Sequence, residues 1–139
     1  EILDKLGTAK ILRPGKDATI IALALMVPRA LQAAERLAIE HGIDCEVIDV
    51  RSLIPLDTQT ILGSVAKTHR CFSVEENPRL CGWGAEIASI VADECFWDLD
   101  APVVRITTPH VPLPSAAELE DATVPSIERI VETIRTRFD

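Results

Sequence analysis

The sequence has little of what marks several common protein classes. Positive charge is scarce, with 14 lysines and arginines against 22 aspartates and glutamates, which gives a net charge of −8. The basic residues form no cluster, so the electrostatic footprint of a nucleic-acid-binding protein is missing. The longest apolar run, residues 18–27, is about half the roughly 20 residues that a membrane-spanning helix needs. The sequence therefore predicts neither a nucleic-acid nor a membrane partner, and its negative field favours a basic protein surface.

Cysteine is also sparse, and its spacing is irregular. Cys45, Cys71, Cys81 and Cys95 form no C-x-x-C pair, and none of the three histidines lies at ligand spacing from them. The sequence thus predicts no zinc site, and reduced cysteines fit a cytoplasmic location. The opening residues EILDKLGTAK lack the basic start and apolar stretch of a signal peptide, and they contain no initiator methionine. We therefore expect a domain excised from a longer chain.

Short apolar runs rich in β-branched residues predict a sheet. The inner runs hardly alternate between apolar and polar residues, which is typical of parallel strands covered by helices on both faces. Pro14 and Gly15 leave no room for a crossover helix after the first run, so that run is expected to be an antiparallel edge strand. The five predicted strands cover residues 9–13, 19–25, 45–50, 71–76 and 102–107.

The segments between these runs have apolar residues at helical spacing. Asp57 is the expected N-cap of the second helix, and Gly42 is expected to end the first. Ser115 and Glu118 have the spacing of a capping box, which predicts a further short helical turn. One α/β domain, residues 1–139, accounts for every segment. The four longer helices are predicted at 28–41, 58–67, 84–97 and 125–138.

No group of residues forms a recognisable catalytic constellation. Glu75 and Glu76 are adjacent on a strand and point to opposite faces, so an interface or capping role is favoured over paired acid–base chemistry. The histidines at 41, 69 and 110 lie at helix ends or in a proline-rich loop, with no G-x-S-x-G elbow nearby. We therefore assign no catalytic, cofactor-binding or metal-ligating residue.

The segment CGWGAEI, residues 81–87, places a glycine pair before a helix, as a dinucleotide-binding turn does. The match is incomplete because the third glycine is missing. Trp83 also stands where the backbone would have to approach the pyrophosphate closely, and Glu86 would place negative charge beside the phosphates. A nucleotide-binding regulatory domain, using the crevice beside Gly82 and Gly84, is nevertheless kept as an alternative.

Two surface features indicate contacts with other proteins. Arg51 directly follows a predicted strand, at the edge where open α/β sheets place their ligand crevices, although an ion pair with a nearby aspartate is the simpler explanation. Phe96 and Trp97 lie within the acidic run at 93–102. This composition is that of a docking patch with a charged rim, or of a loop that is merely solvated.

Five motifs follow one another along the chain: TIIALALMVPRALQAAERLA, EVIDVRSLIPLD, SVEENPRLCGWGAEIA, LDAPVVRIT and VPLPSAAELEDATVP. Together they resemble the C-terminal domain of beta subunits of thiamine-diphosphate-dependent 2-oxo acid dehydrogenases, from about Gly7 onward. The nearest groups are the pyruvate, branched-chain 2-oxo acid and acetoin dehydrogenases, and the C-terminal domain of another transketolase-like enzyme is a further alternative. The resemblance implies a three-layer α/β/α fold with a mixed five-stranded sheet in the order 1-3-2-4-5, strand 1 being antiparallel.

The same resemblance implies a role in assembly. In that family thiamine diphosphate and magnesium lie between the alpha subunit and the pyrimidine-binding domain of the beta subunit, so this domain is expected to be catalytically empty. Its expected partners are the alpha subunit and a second beta subunit, together with the basic peripheral binding domain of the acyltransferase core. The resemblance assigns that docking to Asp100, Phe138 and Asp139, while Arg51 and Trp83 are further interface candidates. The complete enzyme would decarboxylate a 2-oxo acid oxidatively and transfer the acyl group to lipoyl groups.

Overall fold

A computed structural model describes residues 5–139, which alternate between strands and helices along the chain. The strands are β1 (Lys10–Arg13), β2 (Ala18–Ala22), β3 (Cys45–Asp49), β4 (Cys71–Pro78) and β5 (Val104–Thr108). The helices are α1 (Met26–His41), α2 (Thr58–Thr68), α3 (Gly84–Glu94), α4 (Ala117–Thr123) and α5 (Ile127–Arg135). Within the described residues, no helix is both long and apolar enough to cross a bilayer.

The strands form one mixed sheet in the order β1-β3-β2-β4-β5. β1 runs antiparallel to β3, and the other neighbouring pairs are parallel. Gly15 permits the tight connection after β1, because a Cβ atom at this position would overlap the backbone of Cys45 and Glu46. The predicted fold, strand order and antiparallel edge are confirmed.

Helices cover both faces of the sheet, so each face has its own apolar core. On one face α1 and α5 pack over Ile20, Phe72 and Ile106. On the other face α2 and α3 pack over residues that include Ile21 and Cys71. A fully buried side chain of this size contributes roughly 1.5–3 kcal/mol relative to an exposed one. The absence of alternation in the inner strands thus reflects burial on both sides.

β2 and α3 are among the elements that the sequence predicted to be longer than they are. β2 ends at Ala22 because Ala24 has a left-handed backbone (φ 52°) and the chain turns there into α1. α3 ends at Glu94 rather than at residue 97 because Cys95 leaves helical geometry, with φ −115° and ψ 20°. The apolar sequence pattern continues past both ends, so it could not predict these changes in backbone direction.

The predicted ends of the last two helices also needed correction. The prediction of a capping box at Ser115 and Glu118 is wrong. Ala116 is the N-cap of α4, and its side chain makes no capping hydrogen bond. Ser115 therefore lies one residue too early, and Glu118 falls at the second rather than the third helical position. α5 is shorter than predicted. Its N-cap, Ser126, accepts a hydrogen bond from the backbone N–H of Arg129.

Candidate functional site

Three of the five predicted contact residues, Asp100, Phe138 and Asp139, lie near the amino ends of β4 and β5. The backbone N–H of Asp100 donates to the carbonyl oxygen of His69 at 2.9 Å. The next residue, Arg70, lies over the ring of Phe138, with its guanidinium carbon 4.4 Å from the ring centroid. Asp139 follows at the end of the chain. The connection between α2 and β4 therefore brings the LDAP motif close to the C-terminal segment.

The C-terminal segment is held in place by the same arginine. Besides its contact with Phe138, Arg70 donates a hydrogen bond to the carbonyl oxygen of Arg137. Phe138 is half-buried against the core, so only part of its ring faces outward. Asp139 is exposed and pairs with Arg135 at 2.9 Å. Of these two candidates, Asp139 offers the more accessible group.

A groove with apolar walls adjoins Asp100. Its volume is about 620 Å³, and Asp100 contributes the only charged side chain to its lining, which otherwise comes from the end of α3 and from residues 99–103. Trp97 is 92% exposed and Phe96 is 61% exposed, and their rings meet edge to face at 4.9 Å between centroids. Both rings follow the end of α3 at Glu94, so they lie outside the helix. Large exposed aromatic side chains beside an apolar groove are typical of protein-binding sites.

The segment that forms one side of this groove carries charge of one sign. Residues 93–100 contain four carboxylates and no basic residue. Asp98 and Asp100 are both exposed. Such a rim would attract a basic partner and would repel an acidic one.

Arg51 and Trp83 lie at the opposite edge of the sheet, near the carboxyl ends of the parallel strands. Arg51 is exposed and adopts a left-handed backbone (φ 62°), and its N–H donates to the Asp49 carboxylate at 3.1 Å. Trp83 precedes α3 and is half-buried beside Glu76 and Leu113. The structure therefore divides the five predicted residues between two surfaces.

Aliphatic side chains make the carboxyl edge apolar, a feature that the sequence analysis missed. Each loop that follows a parallel strand carries at least one exposed aliphatic residue, the extreme being Ile54 at 93%. Aliphatic residues in three predicted loops were the available signal, whereas Leu25 fell within a predicted strand. These exposed residues are Leu25, Leu53, Ile54, Leu80, Val111 and Leu113.

A carboxylate fills the position in front of α3 where a phosphate would bind in a dinucleotide turn. Glu75 is fully buried and accepts a hydrogen bond from the Gly84 N–H at 3.0 Å. Arg105 donates to both of its carboxylate oxygens, at 2.9 and 2.8 Å. The capping role predicted for the Glu75–Glu76 pair is thus confirmed for Glu75.

Burial and hydrogen bonding act in opposite directions on Glu75. Burial is the largest single influence and raises the pKa of this carboxyl group, but the hydrogen bonds outweigh it and hold the pKa below its ordinary value. The donors are Arg105, Asn77, Ser73 and the Gly84 N–H.

The glycine pair serves this carboxylate. A Cβ atom at Gly84 would overlap the carboxylate of Glu75, and one at Gly82 would overlap Asn77. A diphosphate has no room in this position, because the Glu75 carboxylate already occupies it. The residues in front of α3 therefore do not fit a nucleotide or thiamine diphosphate.

The cysteines are arranged for packing rather than for metal binding. Burial raises the pKa of Cys45 and of Cys71 to about 12, and Cys95 is also buried. Cys81 is exposed. Across residues 5–139, no group of three or more histidine, cysteine or acidic side chains is placed to hold a metal ion.

Comparison with known proteins agrees with this architecture. Residues 7–130 match the family model described as "Transketolase, C-terminal domain". A solved structure described as "Split gene transketolase, inactive beta4 tetramer" superposes with a TM-score of 0.80 at 29% identity, and it covers 98% of this chain and 43% of that one.

Two curated relatives narrow the comparison further. Mitochondrial "Pyruvate dehydrogenase E1 component subunit beta-1" of Arabidopsis thaliana is 52% identical over 126 residues, which cover 91% of this chain and 34% of the plant protein. "Acetoin:2,6-dichlorophenolindophenol oxidoreductase subunit beta" of Bacillus subtilis is 47% identical over 127 residues, which cover 91% of this chain and 36% of that protein. The chain thus spans about a third of the length of these relatives. This chain belongs to the transketolase C-terminal domain family, and its relatives there include beta subunits of pyruvate dehydrogenase E1 and of an acetoin oxidoreductase.

Proposed function

We propose that this chain is the assembly and docking domain of the beta subunit of a cytoplasmic 2-oxo acid dehydrogenase. The observation that carries the proposal is the association of Asp100 with the C-terminal segment, through His69 and Arg70, beside an apolar groove with acidic residues at its rim. These are the positions that the family resemblance assigns to docking, although they lie far apart in the sequence.

The acidic surface near the amino ends of β4 and β5, which includes the groove beside Asp100, is the proposed receptor for the basic peripheral binding domain of the acyltransferase core. Asp98, Asp100 and Asp139 would face its lysines and arginines, and complementary charges accelerate such encounters and fix their register. Trp97 and Phe96 would supply the apolar contact area. Aromatic anchors surrounded by a polar rim account for most of the binding energy in many interfaces.

The carboxyl edge is the proposed surface for the alpha subunit and the second beta subunit. Its exposed aliphatic side chains on four successive loops form an apolar region, and such regions on a folded domain mark contacts with other chains. Arg51 and Trp83 belong to this proposed contact.

We assign the cofactors of the parent enzyme to other parts of the complex. Thiamine diphosphate and magnesium would be held by the alpha subunit and by a pyrimidine-binding domain of the longer beta subunit to which this domain belongs. Glu75 supports this assignment because its carboxylate fills the glycine-flanked amino end of α3. This domain would hold the subunits in place while those parts decarboxylate the 2-oxo acid and pass its acyl group to lipoyl groups.

Titration calorimetry with this chain tests the proposal. The peripheral binding domain of a 2-oxo acid dehydrogenase acyltransferase should bind, and its affinity should fall as salt is raised because the contact is partly ionic. Thiamine diphosphate with magnesium, or ATP, should give no heat of binding. Saturable binding of either cofactor, or no binding of the acyltransferase module at any salt concentration, would contradict the proposal.

The alternative of another transketolase-like enzyme is tested by the partner. That alternative predicts association with an identical chain, and the structural relative described as a beta4 tetramer provides its motivation. Co-expression of the complete beta subunit with an alpha subunit of a 2-oxo acid dehydrogenase distinguishes the two. A stable α2β2 complex supports our proposal, whereas recovery of beta oligomers alone supports the alternative.

A further inference from the structure

A crevice of about 300 Å³ lies at the carboxyl ends of β2 and β4, the neighbouring central strands from which the chain turns to opposite sides of the sheet. α1 leads from β2 towards β3, whereas α3 leads from β4 towards β5. Open α/β sheets form ligand crevices at such switch points because the two loops diverge there. The lining residues are Leu23, Glu76, Asn77, Trp83 and Leu113.

The two adjacent glutamates of β4 have opposite environments. Glu75 faces the network beneath α3, where each oxygen has hydrogen-bond donors. Glu76 is half-buried and points to the other side, into the crevice. Within residues 5–139 its carboxylate makes no hydrogen bond or ion pair. A partly desolvated carboxylate in this position is stabilised by an incoming cation.

The surroundings of Glu76 do not supply that cation. A second crevice of about 300 Å³ shares Glu76 and Leu113 with the first, and its one basic residue is Arg29. Arg29 is already engaged, because it pairs with Asp121 and donates to the carbonyl oxygen of Pro125 at 2.9 Å. The exposed carboxylate of Glu120 adds to the negative charge.

We propose that this Glu76–Trp83 crevice receives an arginine side chain from an apolar segment of a neighbouring subunit. A planar guanidinium can donate two hydrogen bonds to a carboxylate and can also stack on an indole ring, and a lysine ammonium lacks that planar geometry. The exposed aliphatic side chains on the surrounding loops extend beyond the reach of a small amine, so they favour a protein segment as the occupant. The inference rests on the proposed subunit contact and specifies its central polar interaction.

Tryptophan fluorescence can report on the crevice directly. The chain has two tryptophans, so Trp97→Phe leaves Trp83 as the sole reporter. The probes are the peptide acetyl-Leu-Arg-Leu-amide and its citrulline counterpart, which has nearly the same shape but no charge. We expect the arginine peptide to shift the Trp83 emission saturably and to bind about tenfold more tightly than the citrulline peptide.

Two further variants decide the role of Glu76. In the Trp97→Phe background, Glu76→Gln should abolish the preference for arginine, whereas Glu118→Gln, which removes an exposed carboxylate outside the crevice, should retain it. Equal binding of the two peptides, or a preference that survives Glu76→Gln, would overturn the inference. Subunit assembly is tested separately by co-expression. A chain that assembles with its partners but shows no preference for the arginine peptide would contradict the proposed role of the crevice and leave the proposed assembly function standing.

Discussion

Glu75 and Arg105 form a buried, bidentate ion pair that joins β4 to β5. The Arg105 Nε donates to Oε1 of Glu75 at 2.9 Å and its Nη2 donates to Oε2 at 2.8 Å. Arg105 also donates to the carbonyl oxygen of Arg79, and Glu75 accepts from the Gly84 N–H. This one pair thus fixes the β4–α3 loop on which Trp83 lies.

Arg105→Met should destabilise the domain strongly. The substitution leaves the Glu75 carboxylate buried without its main partner, for which we expect a loss of about 3–5 kcal/mol in the free energy of unfolding. Urea denaturation followed by circular dichroism measures it. The matched control is Arg129→Met on the exposed face of α5, which should change stability by about 0.5 kcal/mol or less. A similar small change for both variants would show that the pair is not structurally important.

Stability should fall in acid, partly because of Glu75. Its pKa is lowered in the folded state, so its contribution is complete above the unfolded value of about 4.3 and declines as the pH falls towards the folded pKa. Glu75→Gln should therefore reduce the slope of unfolding free energy against pH between pH 5 and 3, measured by urea denaturation. Glu118→Gln serves as the control and should leave the slope unchanged, and equal slopes in all three proteins would contradict the prediction.

A part of that slope should remain in Glu75→Gln because a second buried carboxylate acts in the same direction. Burial would raise the pKa of Glu46, but hydrogen bonds outweigh this effect and lower it, the strongest coming from Lys67. Lys67→Met should therefore reduce the acid dependence further when it is combined with Glu75→Gln. An additive decrease is expected because the two carboxylates have no common partner.

Asp100→Lys should weaken binding of the basic acyltransferase module. Reversal of one charge in the acidic rim is expected to lower the affinity about tenfold and to reduce its salt dependence. Calorimetric titration at two salt concentrations measures both effects. Glu118→Lys makes the same charge change on α4 and should leave binding nearly unaffected, whereas an unchanged affinity for Asp100→Lys would remove Asp100 from the site.

Trp97→Ala should separate binding from stability. Because the side chain is 92% exposed, the free energy of unfolding should change by about 0.5 kcal/mol or less. If Trp97 anchors the acyltransferase module, binding should weaken by about 2 kcal/mol, the usual threshold for a central interface residue. Leu119→Ala, another exposed apolar residue, is the control for a general loss of hydrophobic surface. Equal effects of the two substitutions on binding would contradict the anchoring role.

Cysteine alkylation should be confined to Cys81. The other three thiols are buried, and burial raises the pKa of Cys45 and Cys71 to about 12, so their reactive thiolate forms are scarce at neutral pH. Iodoacetamide at pH 7.5 should add one label to the native chain and four to the chain in denaturant, as measured by intact mass. A second rapid label on the native protein would show that one of the buried thiols is accessible.

Several features were predictable because they depend on local pattern. Asp57 accepts a hydrogen bond from the Thr60 N–H as an N-cap, and Gly42 ends α1 with a left-handed backbone (φ 68°). The early ends of β2 and α3 were not predictable in this way. Apolar residues continue beyond Ala22 and Glu94, so periodicity could not reveal that Ala24 and Cys95 leave the regular conformations.

The candidate surfaces were predicted only in part. Asp100 and Phe138 came from the family resemblance, and no pattern in the sequence indicates that they lie near each other. The neighbouring residues His69 and Arg70 account for this proximity. The carbonyl oxygen of His69 accepts a hydrogen bond from the Asp100 N–H, and the guanidinium of Arg70 lies over the ring of Phe138. The apolar carboxyl edge was missed because its side chains are scattered over four separate loops, and each of them alone is an ordinary exposed residue.

The sequence by itself determined the class of fold, because burial on both faces and turn chemistry act over a few neighbouring residues. The tertiary structure alone decided which carboxylates are free to bind a partner and which are already paired within the domain. Glu75 and Glu76 are adjacent and chemically identical, yet Arg105, 30 residues from Glu75, neutralises that carboxylate and leaves Glu76 facing a crevice. Strand pairing between β4 and β5 places that arginine, and no local pattern contains the information.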